Sequence, residues 1–200
     1  MRTLANNIKF GGKHSEGVKQ LQEILEAFCV HNPVIGYCQG MNLLVGNALL
    51  FLEPEDAFWF LVAITEHYFQ PHYFDAGLTG SQADQLTLKE ILRLKLPELH
   101  YHLECKNIEF TSITFNWFLS LFIDALPFEV LIRIWDCFLV EGDKVLFRYA
   151  CALFKMHQKV LLEQHDSISF FRHLKYAVKN TFDIEGLNKV NIFLNFTVPI

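Results

Sequence analysis

Apolar residues recur at helical spacing through almost all of this 200-residue chain, and this periodicity limits the possible fold more than any other feature. After Ser15, positions three or four apart form one apolar helix face: Val18, Leu21, Ile24, Leu25 and Phe28. Strands would require alternating β-branched runs that meet Asn-Gly-type turns, and the sequence offers no such combination. The chain is therefore predicted to be all-α.

Prolines and capping residues divide the periodic segments into separate helices. The first helix begins after Ser15 and ends before Pro33, because a residue that precedes proline avoids helical backbone angles. Pro54 and Pro127 are placed to open later helices. The remaining predicted helices are approximately residues 41–52, 54–69, 81–94, 97–105, 111–126, 128–140, 143–160, 167–179 and 183–195.

Composition narrows the class of protein. An apolar content of 52% is ample for one core, and a net charge of -5 provides no basic surface for nucleic acid or anionic lipid. The five cysteines are scattered without a CxxC pair, which predicts neither a zinc site nor a disulfide framework. No apolar stretch reaches membrane-spanning length, and the first ten residues lack the apolar segment of a signal peptide. These features favour a single domain in a reducing, cytosolic setting.

The familiar catalytic motifs are missing from the sequence. It contains no HExxH, GxxxxGK[ST], GxSxG or GxGxxG pattern. His100 and His102 are two residues apart and do not share a helix face, so no metal site is predicted. Cys38, beside Gln39, is the one cysteine that merits consideration as a nucleophile, and its apolar neighbours argue against that role. A stand-alone hydrolase is therefore disfavoured.

Polar residues in residues 35–42 (IGYCQGMN) suggest a different kind of site. Gly36 and Gly40 allow a tight turn and a close backbone approach, and Gln39 between them can donate and accept hydrogen bonds. The alternative is an ordinary interhelical turn, in which Asn42 caps the next helix.

A second polar group interrupts an otherwise apolar helix. Arg133 and Asp136 are predicted to be embedded in this helix, where an all-α core should be apolar. Because they are three residues apart, an intrahelical ion pair without further function is the alternative interpretation.

Three stretches together resemble the TBC domain, the catalytic module of GTPase-activating proteins for Rab GTPases. Residues 35–42 resemble the signature motif of that family, and residues 133–142 (RIWDCFLVEG) resemble its third motif. Residues 2–4 (RTL) resemble the segment just after the first motif, with Arg2 at the position of the arginine finger. The resemblance covers nearly the whole chain with the motifs in the expected order.

The resemblance implies that an all-α TBC domain acts on a Rab-family GTPase in its GTP-bound state. Arg2 would neutralise charge on the transferring phosphoryl group, and Gln39 would replace the GTPase's own glutamine in orienting water. Supporting or GTPase-contacting roles fall on Gly36, Tyr37, Gly40, Asn42, Arg133 and Asp136. The chain would need no cofactor or metal of its own, because GTP and Mg²⁺ are carried by the partner. A cytoplasmic role in vesicle trafficking, with recruitment to endomembranes through the GTPase, is also implied.

The resemblance starts one residue before Arg2. The first motif of the family, I-x-x-D-x-x-R, has an upstream isoleucine and aspartate that this sequence lacks, and Ala5 stands where the family usually has proline. We therefore expect residues 1–200 to form one TBC domain that is incomplete at its N-terminal end and also cut short at its C-terminal end. A non-catalytic Rab-binding module and a purely structural helical scaffold remain alternative functions.

Overall fold

The computed structural model describes residue 4, residues 7–12 and residues 15–194, and every regular element in these residues is helical. A 3-10 turn at Ile8–Phe10 precedes the first helix, and a π-helical turn at Ile64–Tyr68 continues the third. The α-helices of this part of the chain are α1 (Glu16–His31), α2 (Met41–Ala48), α3 (Pro54–Ala63), α4 (Thr79–Lys95), α5 (Pro97–Cys105), α6 (Thr111–Leu119), α7 (Phe128–Glu141), α8 (Lys144–Met156), α9 (Gln158–Leu162), α10 (Ser167–Lys179) and α11 (Ile184–Phe193). The all-α prediction is confirmed.

The chain divides into two compact units, Met1–Ser81 and Gln82–Ile200. In the first unit, α1 packs against α2, α3 and the 3-10 turn. Its buried face contains Leu21, Ile24 and Phe28, as the periodicity predicts, whereas Val18 and Leu25 are only half-buried. Burying such apolar side chains stabilises a helix more than its intrinsic propensity does.

In the second unit, α8 is buried on almost every side and packs against α7 and α11. The ring of Phe154 lies 5.3 Å from that of Phe110 and 5.9 Å from that of Trp117, measured between centroids. The buried hydroxyl of Tyr149 donates a hydrogen bond of 2.7 Å to Asn188 Oδ1, which offsets the cost of removing it from water. Among the described residues, no helix combines the length and apolar character needed to cross a membrane.

The helix predicted over residues 111–126 is too long, since α6 ends at Leu119. Leu121 and Phe122 adopt left-handed backbone angles, with φ of 48° and 65°. Such angles cost a residue with a side chain about 1–2 kcal/mol. Both side chains are buried, which is worth about 1.5–3 kcal/mol each and offsets that cost. Apolar spacing alone does not show where the burial of a side chain offsets the strain of its backbone.

Two other predicted helices also differ from the observed elements: one ends early and one is divided. Beyond α2, the N–H groups of Leu50 and Phe51 bond to carbonyls three residues back, as in a turn, and the Phe51 side chain is exposed. The helix predicted over residues 143–160 is divided at His157 into α8 and α9. Asp143 precedes α8 but makes no side-chain capping bond.

Candidate functional site

The loop between α1 and α2 is shaped by two glycines. Gly36 has φ of 60° and Gly40 has φ of 107°. A residue with a Cβ atom would be strained at either angle, and more so at the second. Gly40 immediately precedes α2, and its carbonyl accepts hydrogen bonds from the N–H groups of Leu43 (2.9 Å) and Leu44 (3.1 Å). The glycines therefore set the direction in which the loop enters α2.

Several hydrogen bonds join the loop to the start of α2. The Tyr37 hydroxyl donates to Asn42 Oδ1 at 3.1 Å, linking a loop side chain to the first turn of the helix. The N–H of Cys38 lies 3.2 Å from Met41 Sδ, and the N–H of Met41 donates to the Cys38 carbonyl at 3.2 Å. This end of the loop is held by side chains and backbone together.

The other end of the loop is held by Asn32, which ends α1. The Asn32 carbonyl accepts the N–H of Gly36 at 2.9 Å, and Asn32 Oδ1 accepts the N–H of Ile35 at 3.1 Å. Asn32 Nδ2 donates to Glu66 Oε1, 2.9 Å away in the π-helical turn. The sequence interpretation gave neither Asn32 nor Glu66 a role in the site. The one indication in the sequence of a role for Asn32 is its position directly before Pro33, at the end of a predicted helix.

Exposure separates the residues of this loop into two groups. Gln39 and Tyr37 are exposed, whereas Cys38 between them is buried. Burial raises the pKa of the Cys38 thiol above its ordinary value, which disfavours the reactive thiolate. The geometry therefore presents a carboxamide and a phenol to the outside of the first unit, with no activated nucleophile at Cys38.

An open apolar groove lies beside the loop, with a volume of about 570 Å³. Tyr37 forms one part of its lining and α1 supplies the rest, through Gln22, Leu25, Glu26, Cys29 and Val30. Val30 is 83% exposed, so the groove is open to solvent on this side.

Arg133 and Asp136 lie on α7 in the second unit, and both side chains are exposed, at 66% and 70%. The prediction that they are embedded in the core is wrong. The residues of α7 that face the core are Val130, Leu131, Ile134 and Phe138, and the helical period places Arg133 and Asp136 on the opposite side. The ion pair expected from their spacing is present, with 3.7 Å between Arg133 Nη1 and Asp136 Oδ2.

Arg2 lies outside the described residues. The structure does describe the segment that follows it, in which the N–H of Asn7 donates to the Leu4 carbonyl at 2.8 Å. Lys9 in the 3-10 turn donates from Nζ to the Leu49 carbonyl at 2.7 Å. In the described part of the chain, no three histidine, cysteine, aspartate or glutamate side chains are grouped as metal ligands.

Comparison with known proteins supports the resemblance found in the motifs. TBC1 domain family member 2B of Mus musculus is 46% identical over 191 residues, which are 96% of this chain and 20% of that protein. TBC1 domain family member 2A of Rattus norvegicus is 43% identical over 190 residues, 94% of this chain and 21% of that protein. This chain thus spans about a fifth of the length of these curated relatives.

A solved structure has a similar fold. The Chlamydomonas flagellar RabGAP TBC domain matches with a TM-score of 0.86 at 28% identity, covering 96% of this chain and 64% of that one. A model of the Rab-GTPase-TBC domain family matches residues 1–162. The resemblance predicted from the three motifs is therefore confirmed, and this chain belongs to the Rab-GTPase-TBC domain family.

Proposed function

We propose that this chain is a GTPase-activating module for a GTP-bound Rab-family GTPase, and that Gln39 acts on the nucleotide held by that partner. The observation that carries the proposal is the placement of Gln39 on an exposed loop whose two ends are both hydrogen-bonded to helices. A side chain used by another protein must be accessible, and it must also be held in a narrow range of positions.

The carboxamide of Gln39 suits hydrolysis of a phosphoanhydride in a partner's site. Its oxygen can accept a hydrogen bond from the attacking water while its NH₂ group donates to a phosphoryl oxygen. The partner brings the nucleotide and its Mg²⁺. Preorganised donors of this kind lower the barrier because they are already oriented when negative charge develops.

Arg2 is proposed as the second group that enters the partner's site. A guanidinium is always charged and can bond to two phosphoryl oxygens at once. An arginine finger is worth about 10³–10⁵ in rate. Support for this role comes from the motif resemblance, because Arg2 lies outside the described residues.

The remaining site residues are proposed to support or contact the GTPase. Gly36 and Gly40 would allow the loop backbone to come close to the partner, and the hydrogen bond from Tyr37 to Asn42 would keep the loop attached to α2. The exposed pair of Arg133 and Asp136 would act from α7. Binding to a membrane-attached GTPase would also bring the chain to endomembranes from the cytoplasm.

The proposal is tested by measuring phosphate release from a panel of GTP-loaded Rab GTPases with and without this chain. On the GTPase that responds, Gln39→Ala should lower the stimulated rate about 10²–10³-fold, the usual loss for one transition-state hydrogen-bonding group. Gln39→Asn, which keeps the carboxamide but shortens its reach, should also be impaired. Gln70→Ala removes another exposed glutamine of the first unit and should change nothing.

Other outcomes would identify the alternative functions. Full stimulation by both Gln39→Ala and Arg2→Ala would rule out the two-finger mechanism. Binding of GTP-loaded GTPases without faster hydrolysis would identify a non-catalytic binding module. If no GTPase of the panel bound in a nucleotide-dependent way, a structural scaffold would be the remaining interpretation.

A further inference from the structure

We infer that Asn32 and Glu66 are positioning residues for Gln39, acting through their side-chain hydrogen bond on the α1 end of the loop. The inference rests on the proposed function, since it concerns where Gln39 is held during hydrolysis. Neither residue lies within the motif stretches that carry the family resemblance.

Asn32 makes three hydrogen bonds that together define the turn leading into the loop. Its carbonyl accepts the Gly36 N–H and its Oδ1 accepts the Ile35 N–H, so two consecutive backbone amides depend on it. The rotamer that brings Oδ1 to Ile35 also directs Nδ2 to Glu66 at 2.9 Å. The bond to Glu66 therefore selects the rotamer that holds the turn.

Glu66 reaches Asn32 from a segment 34 residues later in the chain. It lies in the π-helical turn that continues α3, a kind of helix irregularity that is rare and often found at functional sites. The preceding Thr65 donates its hydroxyl to the Leu61 carbonyl at 2.9 Å, a side-chain bond that bends helices. The irregular turn thus presents Glu66 to the end of α1.

The surroundings of Glu66 restrict its carboxylate further. The same oxygen, Oε1, lies 3.4 Å from His31 Nε2. The His31 ring in turn packs edge-on against Phe58 and Trp59, with centroids 5.5 and 5.9 Å apart. Two neighbouring residues at the end of α1 therefore converge on one carboxylate, and the aromatic packing of His31 limits how far that end can move.

Positioning at this point matters because Gln39 is only three residues beyond Gly36. A loop anchored at both ends transmits a shift at one anchor to the residues between them. A displacement of about 1 Å in a catalytic group can cost about 10²-fold in rate even when the altered contact is remote from the chemistry. Loss of the Asn32–Glu66 bond should therefore lower turnover while leaving the exposed contact surface of the loop intact.

The test compares Asn32→Ala, Glu66→Ala and Glu66→Gln on the GTPase that responds in the panel. Asn32→Ala and Glu66→Ala should lower kcat about 10–100-fold with little change in KM. Glu66→Gln keeps a carbonyl oxygen that accepts from Asn32 Nδ2, so it should retain most of the activity. In the Asn32→Ala background, adding Glu66→Ala should cause little further loss, because both substitutions remove the same bond.

Two matched controls separate positioning from loss of a polar group in general. Asn180 also ends a helix, and its Nδ2 donates to the Tyr176 carbonyl at 2.7 Å, so Asn180→Ala removes a comparable helix-end asparagine elsewhere. Glu23→Ala removes an exposed glutamate of α1 that pairs with Lys19 at 3.8 Å. Both variants should keep full stimulation.

Amide hydrogen exchange gives a readout that does not depend on activity. In Glu66→Ala the amides of Ile35 and Gly36 should exchange faster, while those in the middle of α1 should keep their protection. This measurement also serves if Asn32→Ala does not fold.

The outcomes distinguish the inference from the proposed function. If Gln39→Ala leaves stimulated hydrolysis unchanged, the proposed function fails. If Gln39→Ala abolishes stimulation but Asn32→Ala and Glu66→Ala retain the parent kcat, the positioning inference alone fails. A rise in KM at constant kcat would also overturn it, since that pattern indicates a docking contact.

Discussion

Replacing Gly17 by alanine should destabilise the protein, although helix propensity alone predicts a gain. Gly17 lies in the first turn of α1 and is buried beneath the 3-10 turn. A Cβ atom at this position would lie 2.5 Å from the Lys9 carbonyl oxygen and 3.1 Å from Phe10 Cε1. A backbone oxygen cannot be accommodated at that distance, so the 3-10 turn would have to move.

The magnitude follows from opposing effects. Alanine is favoured over glycine inside a helix by up to about 1 kcal/mol. Forcing an extra carbon into a packed contact costs about 1–3 kcal/mol. Moving the turn also weakens the burial of Phe10, which is 3% exposed, and the bond from Lys9 Nζ to the Leu49 carbonyl. Together we expect the free energy of unfolding to fall by about 1–3 kcal/mol.

Urea unfolding at constant temperature, followed by circular dichroism, measures this difference through the midpoint and slope. Gly12→Ala is the matched control, because nothing lies within 4 Å of its Cβ position. That control should be neutral or stabilised by up to about 1 kcal/mol, since alanine restricts the unfolded chain. An increase in stability for Gly17→Ala would refute the close approach of the 3-10 turn to α1.

Three further predictions concern the loop and the second unit. Gly36→Ala should lower the free energy of unfolding by about 1 kcal/mol, and Gly36→Asn should lower it by less, because asparagine tolerates left-handed backbone angles better. Equal losses for the two variants in urea unfolding would contradict backbone strain as the cause. Cys38 should react with iodoacetamide on the order of tenfold or more slowly than exposed Cys105, because burial hides its thiol and raises its pKa; peptide mass mapping measures both rates. Thr114→Val should lower the free energy of unfolding by about 1–3 kcal/mol, because buried Gln85 Oε1 loses the 2.6 Å hydrogen bond that it accepts from the Thr114 hydroxyl. Adding Gln85→Leu should restore much of that stability in the same unfolding assay.

Sequence periodicity was sufficient for most of the helices and failed where backbone strain and burial compete. The helix predicted over residues 167–179 has the bounds of α10, whose buried face is Phe170, Leu174 and Val178. Periodicity failed after Leu119, where the apolar run continues in the sequence although the backbone leaves the helix. A buried turn and a buried helix can have the same apolar pattern, so only the three-dimensional packing separates them.

The candidate site was predictable where local backbone geometry determines the residue type. Gly36 and Gly40 were identified from sequence, and both have the positive φ angles that favour glycine. Glu66 was not predictable, because its link to Asn32 joins positions 34 residues apart through an irregular turn. The apolar sequence neighbours of Arg133 and Asp136 predict a core position for them, whereas the helical period turns their side chains outward.

A glutamine that acts on another protein cannot be oriented by burial, because it must stay accessible. The position of its carboxamide therefore has to be fixed by the backbone of the loop. Ordering the backbone of one residue costs about 1–2 kcal/mol in conformational entropy. For the five residues from Gly36 to Gly40, a loop that became ordered only on binding would thus cost about 5–10 kcal/mol at that moment. Here Asn32 holds one end and the Tyr37–Asn42 bond holds the other. Much of that ordering therefore occurs when the chain folds, and more of the binding energy remains for the transition state.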